Sequence, residues 1–89
     1  MLARHVRFEP ADLHVRVDDI VVVQFTNDDP TFHDWRVVGL ANVDAGARPG
    51  QTQRIRFRAD AAGTYPIECT VEGHAEAGMV GTLIVDPAD

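Results

Sequence analysis

The sequence predicts an all-β fold, a sandwich of two sheets with about seven to eight strands. Three observations predict it. Val, Ile, Phe, Thr and Arg alternate in short runs, the period of a half-buried strand. Gly, Pro, Asn and Asp punctuate those runs at close intervals. No internal repeat and no low-complexity tract interrupts the pattern.

The elements follow in order. A first strand is expected over residues 3–8, ending before Pro10. Residues 13–17 alternate apolar and polar, then turn at Asp18-Asp19. Residues 20–26 form the most hydrophobic strand, with Val21, Val23 and Phe25 on one face, and Asn27-Asp28-Asp29-Pro30 ends it with turn chemistry. A strand over 33–38 places His33, Trp35 and Val37 on its inward face. Residues 39–50, with three Gly and one Pro, read as a long loop. Residues 51–58 turn Ile55 and Phe57 inward and Thr52, Arg54, Arg56 and Arg58 outward. Asp60-Ala61-Ala62-Gly63 reads as a turn with a short helical twist, and strands over 64–70 and 80–85 close the chain.

Eighty-nine residues have room for one core, so residues 1–89 are expected to form a single domain. The net charge of −6 argues against nucleic acid as a partner, since phosphate binding needs clustered positive charge. All eight basic residues are Arg. No segment reaches the length of a membrane span. The start, Met1-Leu2-Ala3-Arg4-His5, lacks the apolar run of a signal peptide, so a leader or anchor removed from the chain, or a longer parent protein, are both open.

Chemistry concentrates between Cys69 and Met79. The spacing Cys-x₄-His-x₄-Met puts a thiolate (Cys69), an imidazole (His74) and a thioether (Met79) on one loop. Cys69 is the chain's only cysteine, so no internal disulfide accounts for it. Two imidazoles, one thiolate and a weak axial thioether form the ligand set of a blue-copper site, and His33 is placed to supply the second imidazole. The soft thiolate suits both oxidation states of copper, and the distant Met79 is too weak to impose the geometry that Cu(II) prefers. Gly73 and Gly78 allow the loop to turn tightly, and Gly81 allows a close approach to the core. His5 and His14 lie on polar faces and are assigned no metal.

The chain resembles the cupredoxins, the small blue-copper family. The matching residues are Phe8-Glu9-Pro10, residues 23–29 (VQFTNDD) and His33-Asp34-Trp35 in the first half. In the second they are residues 63–70 (GTYPIECT), Gly73-His74 and residues 78–85 (GMVGTLIV). The gaps flanking His74 are most like those of rusticyanin and sulfocyanin. The resemblance implies a Greek-key sandwich holding one type 1 copper ion on His33, Cys69, His74 and Met79. It also implies that the residue after the first His directs its backbone N–H at the Cys sulfur and ties the ligand segments together with its side chain. That residue is Asp34, where many members have Asn, and its carboxylate is expected to bond the hydroxyl or N–H of Thr70. Trp35 is expected to fill the space between the sheets. Arg54, Arg56 and Arg58 read as a solvated strand face, with a docking contact as the alternative.

The expected function is one-electron transfer, with copper cycling between Cu(I) and Cu(II) and the electron passing through the edge of His74. Gly73, Ala75, Ala77, Val80 and Phe32 would line an apolar patch around it. A monomer outside the cytoplasm is expected, periplasmic or extracellular, with membrane anchoring of a full-length protein left open. Redox proteins such as a c-type cytochrome or a terminal oxidase are the partners the resemblance implies. Two alternatives stand beside this. One is a copper-binding domain of a larger multicopper enzyme. Such enzymes wire a second copper through a His beside the Cys, whereas here the neighbours are Glu68 and Thr70. A binuclear copper site needs two Cys in the loop, and position 73 is Gly. No enzyme activity is expected of this chain by itself. The other alternative is copper delivery or storage, disfavoured by a closed four-ligand site with one functional Met.

Overall fold

The computed structural model describes residues 1–88. Among them lie nine strands and no helix: β1 (Leu2–Arg4), β2 (Arg7–Glu9), β3 (Asp12–Arg16), β4 (Ile20–Asn27), β5 (His33–Val37), β6 (Asp44–Ala47), β7 (Thr52–Arg58), β8 (Gly63–Glu68) and β9 (Val80–Asp86). One sheet runs β2-β1-β4-β7 and the other β3-β9-β8-β5-β6. Two parallel pairings, β1 with β4 and β3 with β9, stitch the chain's beginning to its middle and its end.

Alternation builds the core. On β4, Val23 and Phe25 turn inward while Val22 and Gln24 face out. On β5, His33, Trp35 and Val37 are all fully buried, as their period-2 spacing requires. Ile55 faces in from β7, between outward Arg54 and Arg56. Phe8 meets Phe25 edge-on, ring centroids 6.2 Å apart. Burying a ring or branched side chain of this kind contributes about 1.5–3 kcal/mol each. Gly81 is required by contact: a Cβ there would lie 1.9 Å from the carbonyl oxygen of Ala11.

Three expectations are corrected. Residues 3–8 are not one strand but a hairpin, β1 and β2, turning at His5 and Val6. Ala3 and Phe8 pair directly across it and both are buried. An odd separation in a single strand would send them to opposite faces, so the chain must double back. The loop over 39–50 contains β6, which pairs with β5 in the register His33↔Ala47 to Arg36↔Asp44. Its sequence, Asp-Ala-Gly-Ala, carries no β-branched or aromatic side chain, and its pairing comes from β5. Residues 60–62 contain no helical twist, and Gly63 already belongs to β8.

The topology decides where the loops meet. β8 lies antiparallel between β5 and β9, with Arg36↔Glu68 on one side and Glu68↔Val80 on the other. The start of β5, the end of β8 and the start of β9 therefore share one end of the second sheet. His33 opens β5, Cys69 follows β8 and Met79 precedes β9.

Candidate metal centre

His33 and Cys69 are buried, Met79 is fully buried, and His74 is half-buried. The loop from Thr70 to Met79 is wound by its own backbone. His74 N–H donates to Val71 O, Ala77 N–H to Gly73 O, and Gly78 N–H to Ala75 O. Two further bonds tie ligand-bearing residues to each other: Met79 N–H donates to His74 O at 3.0 Å, and Cys69 N–H to Met79 O at 3.2 Å. Gly78, at φ +110°, takes a backbone conformation that L side chains avoid.

The ligating atoms converge. His33 Nδ1 and His74 Nδ1 are 3.1 Å apart, and Cys69 Sγ lies 4.0 Å from the first and 3.6 Å from the second. The point equidistant from all three lies about 2.1 Å from each, within the roughly 2.0–2.3 Å of nitrogen and thiolate bonds to a first-row metal. Among the described residues, His33, Cys69 and His74 are the group that can hold an ion. Two imidazoles, a thiolate and an adjacent buried thioether are the donors of a type 1 copper centre, and they are arranged to bind one copper ion. His5 and His14 are exposed and outside this group, and His14 Nε2 pairs with Asp86 at 2.6 Å.

The sulfur sits in a prepared environment. Burial pushes the Cys69 thiol up; the backbone N–H groups of Asp34 and Val71, directed at it, oppose that, and the nearby Asp34 carboxylate adds to the rise. Asp34 holds Thr70 as the resemblance implied. Thr70 N–H donates to Asp34 Oδ1 at 2.6 Å, and the Thr70 hydroxyl donates to Oδ2. The segment carrying His33 is thereby fastened to the segment carrying Cys69.

Sequence reasoning missed one residue that touches a ligand. Asp29, assigned only to a turn, lies 9% exposed with Oδ2 2.7 Å from His33 Nε2. Burial pushes its carboxyl up, but the Val6 N–H, the His33 ring and the His5 N–H together bring it below the ordinary carboxylate range. Asn27, also fully buried, shapes this turn: its Oδ1 accepts from Asp29 N–H, and its Nδ2 donates to Thr31 O and Ala47 O. The available signal was the four-residue step from Asp29 to His33 across a proline turn, a weak one.

A buried two-histidine, one-cysteine centre at the end of a two-sheet sandwich defines a copper-binding β-sandwich protein. The cupredoxin-like domain matches residues 2–85, and the chain belongs to that family. The solved structure of auracyanin A, a "blue" copper protein of the photosynthetic bacterium Chloroflexus aurantiacus, matches with a TM-score of 0.84 at 25% identity, covering 96% of this chain and 94% of that one. Auracyanin-B of the same organism is 50% identical over 38 residues, 43% of this chain and 16% of that protein. L-ascorbate oxidase of Cucumis sativus is 32% identical over 96 aligned positions, 92% of this chain and 16% of the enzyme. The chain thus spans 16% of the length of each of these curated relatives. The likeness of the loop spacing to rusticyanin and sulfocyanin rests on the motif alone.

Proposed function

We propose that the chain is a one-electron carrier whose copper ion is held by His33, Cys69 and His74, with Met79 as the axial ligand. The observation that carries this reading is the convergence of three ligating atoms within 4.8 Å of one another, on a loop already locked by its own backbone bonds. A bound copper supplies the Cu(I)/Cu(II) couple. The protein's part is to keep the donors still, so that little has to rearrange when an electron arrives or leaves. The fully buried His33 excludes water from one side. The half-buried His74 offers the path to the surface, beside exposed Gly73 and Ala77 on its loop and exposed Val80 at the start of β9. Phe32, next to His33, is also exposed. Such a small, weakly apolar surface suits brief encounters with redox proteins such as a c-type cytochrome or a terminal oxidase.

A monomeric, single-domain carrier outside the cytoplasm is the form this reading takes; the match that covers 96% of this chain and 94% of auracyanin A supports its single-domain part. No helix among the described residues is long and apolar enough to cross a membrane. The match to L-ascorbate oxidase motivates a second reading, a copper domain within a larger oxidase. Against it, Glu68 and Thr70 flank Cys69, so the residues beside the thiolate offer no imidazole to a second copper.

Addition of Cu(II) to the metal-free chain tests the proposal. An intense blue charge-transfer band that ascorbate bleaches is expected, together with its loss in Cys69→Ser. A colourless adduct refutes the site, and turnover of a phenol or nitrite by the isolated chain favours the enzyme.

A further inference from the structure

The β1–β2 hairpin reaches into the metal centre from outside the ligand segments. It turns at His5 and Val6, both at φ 55°. A β-branched valine rarely adopts this left-handed conformation. Here it aims two successive N–H groups at one carboxylate: His5 N–H donates to Asp29 Oδ1 at 2.7 Å and Val6 N–H to Oδ2 at 2.8 Å. Consecutive N–H groups of this kind form an anion-binding concavity. The anion is a side chain of the protein itself, and its Oδ2 also meets His33 Nε2 at 2.7 Å. The next hairpin residue, Arg7, packs its guanidinium against Gly78, where a Cβ would fall 2.5 Å from Nη1. One hairpin therefore touches the support of the first histidine and the residue before Met79.

We propose that Asp29, cradled by the hairpin, is a positioning residue for the metal centre with two effects. Its carboxylate accepts the Nε2 proton of His33, which leaves the Nδ1 lone pair facing Cys69 and His74 before any metal arrives. It also keeps a buried negative charge one imidazole away from the ion, which favours the more highly charged Cu(II) and lowers the reduction potential. Because the carboxylate and His33 are both shielded from water, this charge acts more strongly than an exposed carboxylate nearby. Asp28, half-exposed and paired with Arg4, is the built-in comparison. The inference rests on the reading of His33 as a copper ligand.

Nitrogen NMR of the metal-free wild-type chain reads the first effect. His33 should show the Nε2–H tautomer with a slowly exchanging proton; an Nδ1–H tautomer or rapid interchange overturns the proposal. Voltammetry of the copper-loaded Asp29→Asn variant reads the second. The potential should rise with the blue band retained, whereas Asp28→Asn, with the same change in net charge, should stay near wild type. An unchanged or lowered potential in Asp29→Asn, or an equal rise in both variants, overturns it. If Asp29→Asn does not fold, the wild-type tautomer decides. A colourless copper adduct alongside an Nε2–H His33 would refute the copper reading and leave the role of Asp29 in orienting the ring intact.

Discussion

Asp34 grips Thr70 with both carboxylate oxygens, one taking the backbone N–H and the other the hydroxyl. These residues follow His33 and Cys69 directly in sequence, so a single side chain joins the two ligand-bearing segments. The grip also sets a carboxylate beside the sulfur. It raises the thiol's proton affinity, and by the same sign it stabilises a more positive metal.

Asp34→Asn is therefore expected to raise the reduction potential. An amide keeps one acceptor for the Thr70 N–H but loses the charge and turns a donor toward the hydroxyl. Losing the charge-assisted bond should also cost about 1 kcal/mol of stability. Voltammetry and chemical denaturation measure the two effects. A potential that stays put or falls would remove the electrostatic argument.

Met79→Gln should keep the blue colour, because the Cys69 thiolate remains, while the potential falls. An amide oxygen is a harder donor than a thioether and favours Cu(II). Absorption spectra and voltammetry on one sample check both halves, and a rise in potential would contradict the axial role of Met79.

Copper uptake should depend on pH through Cys69. Burial holds the thiol above its ordinary range, so the metal-free site carries a proton near neutrality that copper must displace. Affinity should weaken about tenfold for each pH unit lost, the signature of one released proton. Competition with a chelator between about pH 7 and 8 measures this dependence. An affinity independent of pH in that window would mean that the thiolate is already formed.

Gly81→Ala should destabilise the fold. Its Cβ would meet a backbone carbonyl on the strand-leading segment at Ala11, which has no flexible end to move aside. The expected loss is about 1–3 kcal/mol or more, as for other overpacked sites. Thermal unfolding of the metal-free protein measures it, and a wild-type midpoint would show that β9 can shift away from Ala11.

Much of this molecule was legible before any coordinates. β4, β5 and β7 announce themselves because an apolar–polar period of two is a local property of consecutive residues. The metal loop was equally plain, since three donors of unlike chemistry rarely fall at successive five-residue steps by chance. Other features left no such mark. β6 is a strand only because β5 lends it hydrogen bonds, and Asp-Ala-Gly-Ala has no strand preference of its own. The β1–β2 turn hides because His5 and Val6 are poor turn residues; its sole trace was the mismatch in parity between buried Ala3 and buried Phe8.

By itself the sequence determined the class of fold, the four donor residues and the metal they suit, because residue chemistry and short spacing are written along the chain. Tertiary structure alone decided that His33 is pinned by Asp29 and that Asp29 is pinned by a hairpin 23 and 24 residues earlier. The physical reason is that a hydrogen bond depends on distance in space. Where the partners are far apart in sequence, only the packing of the two sheets brings them within reach.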